Sequence, residues 1–285
     1  MANHFVTAHR ALVNLPTEET TMCPYVREAG AGPTVICLHA NASSSAQWRG
    51  LMDLLSPNFR VLAPDGLGAG RSPPWPAGGG VRLAHEVALL APLLEAAGER
   101  FHVIGHSYGG AVAARLALAW PQRVASLVLY EPTLFTLLEQ EQRGHPETAG
   151  ISSAVAAAAA ALERGDTYGA GEIFIDYWMG PGAWAATPEG RRATMAEAVR
   201  NVGGWAEALM AEPATRHELG ALPMPVALLG GADSPASAQG VLRLLRQAWP
   251  RAEVHSFPGL GHMGPVTHPE IVNAHIARFL AAQPR

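Results

Sequence analysis

The segment Gly105-His106-Ser107-Tyr108-Gly109 combines a hydroxyl nucleophile with the backbone freedom needed to expose it. Phe101-His-Val-Ile, which precedes it, reads as a buried strand. Gly110-Ala-Val-Ala-Ala-Arg-Leu-Ala-Leu-Ala-Trp120, which follows, reads as a helix. A bare G-x-S-x-G is a weak signal, because Gly and Ser are common turn residues. Strand, G-x-S-x-G, helix is specific, because it sets the serine on a sharp turn at a strand end. Side chains at positions 105 and 109 would collide with the neighbouring backbone there, which explains the glycines. The helix that follows points its first amides at the place where oxyanion charge would develop. The amide of Tyr108, directly after Ser107, is the first expected donor.

Such a serine needs a sheet to stand on, and the chain supplies one. Pro33–His39, Phe59–Pro64, Phe101–Gly105, Val124–Tyr130 and Pro225–Gly230 are short apolar runs, as expected for parallel strands covered on both faces. Residues 251–257 offer a last strand, and the first strands fall poorly marked within 9–29. Between these runs lie helical stripes: Leu83, Val87, Leu90 and Leu94 make one, and Val272, Ile276, Phe279 and Leu280 another. Strand–helix alternation predicts an α/β fold with a doubly wound, mostly parallel sheet. The alternation lapses after Tyr130-Glu131-Pro132 and returns at Leu222-Pro-Met-Pro225. A structureless loop of that length is implausible in a compact domain. We therefore expect a helical cap over 133–215, with the core divided into 1–132 and 216–285.

Bulk composition narrows the function. The 285 residues are 48% hydrophobic and 15% charged, the balance of a globular chain. A formal net charge of −4 with no Lys/Arg cluster argues against nucleic acid or an anionic membrane as partner. Cys23 and Cys37 make neither a disulfide framework nor a metal-ligand pattern. The first residues lack the charged and apolar regions of a signal peptide, and the Ala run near 154–162 is too short to span a bilayer. The default expectation is a soluble, cytoplasmic protein acting on a small molecule. Its oligomeric state is not encoded in any recognisable pattern.

With the elbow in place, further segments resemble the α/β-hydrolase family, over nearly the whole chain outside the cap. Leu38-His39-Ala40-Asn41-Ala42-Ser43 is similar to the His-Gly segment after an early strand, and Asp65-Gly-Leu-Gly-Ala-Gly-Arg71-Ser72 to the D-x-x-G-x-G-x-S turn. The latter reads as a structural turn with Arg71 held by local hydrogen bonds, since it opens no helix as a phosphate loop would. The family places an acid after a late strand and a histidine near the C-terminus, and Asp233 and His262 match those positions in the family's order Ser, Asp, His. Asp233 would accept the histidine's N–H and fix its tautomer. It also suits a helix cap. A rival acid is Glu131, at the end of the strand after the elbow helix, where some members carry theirs. Leu-Tyr-Glu-Pro would otherwise be a pocket wall or a hinge.

His262 lies in the Gly-rich Phe257-Pro-Gly-Leu-Gly-His-Met-Gly-Pro265, after a strand and before the last helix. That position singles it out among twelve histidines. His39 is expected to brace the oxyanion loop, and His106 is fixed inside the elbow. The family motif makes Asn41 the second oxyanion donor, with Ala40 as the alternative. Ala40 stands where Gly is usual and would be strained if that position needed positive φ.

The resemblance implies a serine hydrolase working by acyl transfer on a small, partly apolar carboxylic ester or lactone, without metal or organic cofactor. Carbon–carbon bond hydrolysis, cofactor-free haloperoxidase or perhydrolase chemistry, and a non-catalytic binding protein on the same fold remain open alternatives. Of Trp178, Trp184 and Trp205, at least one is expected to line a cavity above Ser107. Packing within the cap is the alternative for each.

Overall fold

The computed structural model describes residues 22–76 and 80–283. Seven strands form one sheet: β1 (Val26–Ala29), β2 (Thr34–Leu38), β3 (Arg60–Pro64), β4 (Phe101–His106), β5 (Val124–Tyr130), β6 (Val226–Gly231) and β7 (Glu253–Phe257). Their order is β1-β3-β2-β4-β5-β6-β7. All neighbours are parallel except the edge pair β1–β3, which is antiparallel with Val26 opposite Pro64. The first strand therefore falls at the end of the interval expected for it, and residues 9–21 of that interval lie outside the described residues.

Apolar runs form the inner strands because both of their faces are covered. Along β2, Ile36 and Leu38 join one core while Val35 and Cys37 join the other. Along β5, Leu127 and Leu129 alternate with Val128 and Tyr130 in the same way. The first core packs against helices Leu83–Leu89, Tyr108–Ala119 and Ala236–Ala248. The second packs against Arg49–Leu55 and Pro269–Ala281. With period 2 and no solvent-facing side, polar alternation disappears from the sequence.

The helical stripe from Leu83 to Leu94 breaks into two helices, Leu83–Leu89 and Ala91–Ala96. Pro92 has no N–H to return to Ala88, so the ladder stops there although all four stripe residues stay buried. Between β5 and β6 the chain is helical, chiefly in Ala149–Glu163, Thr167–Met179, Glu189–Val199 and Val202–Met210. No helix among the described residues is long and apolar enough to cross a membrane.

Candidate active site

Ser107 directly follows β4 at the centre of the sheet with φ 56° and ψ −120°, outside the regions open to ordinary residues. The surrounding backbone holds it there. Its amide donates to Tyr130 O on β5 (3.0 Å), and its carbonyl accepts from Gly110 and Ala111 in the first turn of the following helix. A Cβ at Gly105 would stand 2.5 Å from Gly109 O, and one at Gly109 would stand 2.5 Å from His39 O. The glycines are required by backbone packing on both sides of the turn.

His262 connects this serine to a carboxylate. Ser107 Oγ lies 2.8 Å from His262 Nε2, and His262 Nδ1 lies 2.6 Å from Glu131 Oε2. All three residues are buried. The loop carrying His262 is fixed by two donors: Tyr130 OH to Gly261 O and His106 Nε2–H to His262 O, each 2.8 Å.

The acid beside His262 is thus Glu131, and the expectation for Asp233 is corrected. Asp233 pairs only its backbone with the histidine loop, its amide donating to Leu260 O (2.9 Å), while its side chain is exposed to solvent. Glu131 reaches the histidine for three reasons. Its strand is the immediate neighbour of the serine strand. Its backbone turns sharply, at φ 44°. The ends of β6 leave room for it: a Cβ at Gly230 would lie 3.0 Å from Glu131 Oε1. Gly231 N–H and Ser234 Oγ–H both donate to that oxygen at 2.6 Å, which turns Oε2 towards the imidazole. The sequence carries one trace of this arrangement, the Gly230-Gly231 pair with Ser234 three residues on.

The loop expected to hold the second oxyanion donor follows β2. Ala40 N–H donates to Gln47 Oε1 (3.2 Å), so that amide is occupied. Asn41 N–H has no protein acceptor among the described residues, and Asn41 borders the same cavity as Ser107. Tyr108 is the first residue of its helix, so its N–H has no intrahelical acceptor. The positive φ considered for Ala40 occurs instead at Ala42 (φ 53°). His39 braces this loop: its Nδ1–H donates to Ala40 O (2.7 Å), and its Nε2 accepts from Gly66 N–H (3.0 Å). Burial lowers its pKa and favours the neutral ring.

Gln47 also reaches the elbow, its Nε2–H donating to His106 Nδ1 (3.0 Å). Burial, and then the neighbouring His262, hold His106 well below the usual imidazole range. A continuous chain of hydrogen bonds therefore runs from Ala40 through Gln47 and His106 to the His262 carbonyl. The Asp65–Ser72 segment is a structural turn: Asp65 Oδ2 accepts from Arg71 N–H and Oδ1 from Ser45 N–H. The Arg71 guanidinium stacks on the Tyr25 ring.

A cavity of about 330 Å³ opens above Ser107 and His262. The helices between β5 and β6 build most of its wall, with Ile151, Phe174, Trp178, Met195, Trp205 and Leu209 among the lining residues. Trp178 and Trp205 line it, whereas Trp184 is buried against Gly171 and Tyr168 within the helical segment. Among the described residues that line it, the only carboxylate is Glu139, which accepts from Gly144 N–H and Thr148 Oγ1–H. A second, wider cavity of about 1200 Å³ shares Asn41, Ala42, Met195 and Trp205 with the first. Buried in its wall is Glu86, which accepts from Leu67 N–H and Tyr108 OH. Burial pushes its pKa up to about 7. No group of three or more metal-ligating side chains stands together among the described residues.

An elbow serine, a loop histidine and an acid meet at the C-terminal edge of this sheet. The alpha/beta hydrolase fold family matches residues 33–269, and the chain belongs to that family. Its curated relatives are similar over a limited stretch. A pimeloyl-[acyl-carrier protein] methyl ester esterase of Aeromonas hydrophila is 36% identical over 112 residues, 36% of this chain and 39% of that protein. Lipase LipV of Mycobacterium tuberculosis is 40% identical over 113 residues, 38% of this chain and 41% of that protein. The matched stretch thus spans well under half of these relatives. Over the whole fold, the chain superposes on an esterase from a Rhodococcus species with TM-score 0.74 and 22% identity, covering 92% of this chain and 98% of the other. Relatives of this chain within the family thus include a protein named as an esterase and one named as a lipase.

Proposed function

We propose that the protein is a serine hydrolase that cleaves small, uncharged carboxylic esters or lactones by acyl transfer, with Ser107, His262 and Glu131 as its triad. The observation that carries this reading is the pair of hydrogen bonds through His262, 2.8 Å to Ser107 Oγ and 2.6 Å to Glu131 Oε2. Glu131 holds the proton of His262 on Nδ1, which leaves the Nε2 lone pair for the serine proton. As Ser107 Oγ bonds to the ester carbonyl carbon, its proton passes to His262. The carbonyl oxygen becomes an oxyanion facing the amides of Tyr108 and Asn41. Collapse expels the alcohol, which takes the proton from His262. Water then attacks the acyl-enzyme by the same route and releases the acid.

The cavity supports the substrate class. Its apolar wall suits a short acyl chain, and the Glu139 carboxylate at its edge opposes an anionic one. The helical segment over 133–215 acts as a lid that excludes water and strengthens the oxyanion interactions below it.

The test is a set of p-nitrophenyl esters and simple lactones assayed with wild type and Ser107→Ala, together with fluorophosphonate labelling. Wild type should label and turn over short neutral esters, and Ser107→Ala should do neither, losing several orders of magnitude in kcat. Substantial ester hydrolysis by pure Ser107→Ala would remove the nucleophile assignment. Turnover confined to dienone diketones or to peroxide-dependent reactions would replace the ester reading.

A further inference from the structure

The catalytic imidazole has an aromatic partner that the triad does not account for. Trp178, on helix Thr167–Met179 of the segment between β5 and β6, lies over the His262 ring with centroids 3.9 Å apart and planes 26° apart. Its position is held from several sides: Phe135 stacks at 6.5 Å, Phe174 meets it edge-on at 6.4 Å, and Tyr177 does so at 4.9 Å. Tyr177 is in turn hydrogen-bonded to Ser237 on the core helix Ala236–Ala248 (2.8 Å). The indole is therefore anchored to both the helical segment and the core.

From this geometry we infer that Trp178 is a further catalytic residue, whose π-face stabilises the positive charge His262 acquires when Ser107 transfers its proton. The inference rests on the serine-hydrolase reading above. An indole face is the best of the aromatic faces for a cation, and a desolvated site strengthens the attraction. The stack is available to neutral imidazole as well, but the electrostatic part of it appears only with the charge. It therefore favours the transition state over the ground state, which is the condition for raising kcat.

The other groups facing the imidazole leave this role open to Trp178. Glu131 occupies the Nδ1 edge and Ser107 the Nε2 edge. His106 approaches the ring at 5.2 Å and 48°, and its hydrogen bonds from Gln47 and to the His262 carbonyl are those of a neutral ring. Tyr130 donates to the loop at Gly261 O, so its hydroxyl is committed. On the helix of Trp178 itself, Asp176 is tied to the amides of Gly182 and Trp184, and Glu172 is exposed. Glu139, on the cavity wall, is tied to Gly144 and Thr148. Besides the Glu131 carboxylate, the Trp178 face is the electron-rich surface in contact with the ring.

Three side chains separate the π contribution from simple coverage: Trp178, Trp178→Phe and Trp178→Leu. Leucine still shields the ring from water but has no quadrupole. For Trp178→Leu, kcat on a short p-nitrophenyl ester should fall roughly 3- to 30-fold. The midpoint of the acid limb of the kcat/KM–pH curve should fall by roughly half to one pH unit. Trp178→Phe should recover most of both. In parallel, the imidazole signal missing from His262→Gln identifies His262 by NMR. Its titration midpoint should follow the order Trp, Phe, Leu from high to low, and this measurement needs no turnover. Equal midpoints for Trp and Leu in that titration would overturn the inference even if kcat falls. A clear Trp–Leu difference in a protein that hydrolyses no ester would uphold the contact and instead overturn the proposed reaction.

Discussion

Glu131→Gln isolates the acid's contribution with almost no change in shape. Three hydrogen bonds converge on the Glu131 carboxylate: Gly231 N–H and Ser234 Oγ–H on Oε1, and His262 Nδ1–H on Oε2, each 2.6 Å. Gly231 N–H can only donate, so a glutamine must place its carbonyl at Oε1, where Ser234 Oγ–H also donates, and its NH₂ at Oε2. That NH₂ then faces His262 and requires Nδ1 to be an acceptor. The proton moves to Nε2, where it blocks receipt of the Ser107 proton. A wrong tautomer of this kind costs about 10⁴ in kcat in the serine-protease case, so a loss of roughly 10³–10⁴ is expected, or about 4–5.5 kcal/mol at 1.36 kcal/mol per tenfold. The exposed Asp233→Asn should stay within about twofold of wild type, as surface substitutions do. The assay is kcat and KM on one p-nitrophenyl ester, with thermal unfolding to confirm that both variants fold. If Asp233→Asn loses a thousandfold while Glu131→Gln stays within tenfold, the geometric reasoning is refuted.

Other expectations concern the supporting residues. Gln47→Ala strands Ala40 N–H and His106 Nδ1, so kcat should fall roughly tenfold with KM little changed, in line with the 1–3 kcal/mol cost of an unsatisfied buried partner. Gln47→Glu should be worse, because it offers His106 no donor and turns the ring's other nitrogen into an acceptor facing the His262 carbonyl; equal kcat values for the two variants would count against the relay. Glu86 is protonated more readily in the folded protein, near 7 against an ordinary 4.5, so its contribution to stability is fully present below about pH 4.5 and is lost as pH rises through about 7. That separation of about 2.5 pH units corresponds to at most about 3 kcal/mol. Urea melts should accordingly show Glu86→Gln flattening the stability–pH curve between those limits and gaining on wild type at pH 8; parallel curves would argue against a buried, titrating carboxylate. Gly109→Ala should destabilise by roughly 1–3 kcal/mol or more, because its methyl would meet the His39 carbonyl, and an unchanged Tm would contradict that packing.

The sheet was legible in the sequence because each buried parallel strand leaves a continuous apolar run, and the elbow was legible because its glycines are dictated by local geometry. His262 could be located by order along the chain and by its loop. The acid could not, because Glu131 and Asp233 follow adjacent strands, β5 and β6, at the same edge of the sheet. The choice between them depends on a single dihedral at Glu131 and on the missing side chains at Gly230 and Gly231, a relation across a hundred residues. The tryptophans posed a similar problem. Trp178 shares a helix face with Phe174 and Gly171, and which way that face points is decided by the docking of the helix, not by its period. Trp184, a few residues on, turns back towards Gly171 instead.

Two of the three residues proposed as the triad are also strained ones. Ser107 and Glu131 both hold positive φ, each directly after a strand, and such conformations persist only where the surroundings over-determine them. Here the sheet does so: Ser107 N–H donates to Tyr130 O, Glu131 N–H to Leu229 O, and Thr133 N–H back to Ser107 O. These bonds extend the β4–β5–β6 ladder one step beyond the strands, so Ser107 and Glu131 are fixed relative to each other by backbone. The histidine is set by loop contacts, and the cavity by helices that belong to no strand ladder. Changes in those helices can therefore reshape acyl selectivity while the Ser107–Glu131 spacing stays constant. Trp178 is the exception. It belongs to the helical wall but touches the imidazole, so substitutions there should alter selectivity and rate together, whereas substitutions at Met195 or Leu209 should alter selectivity alone.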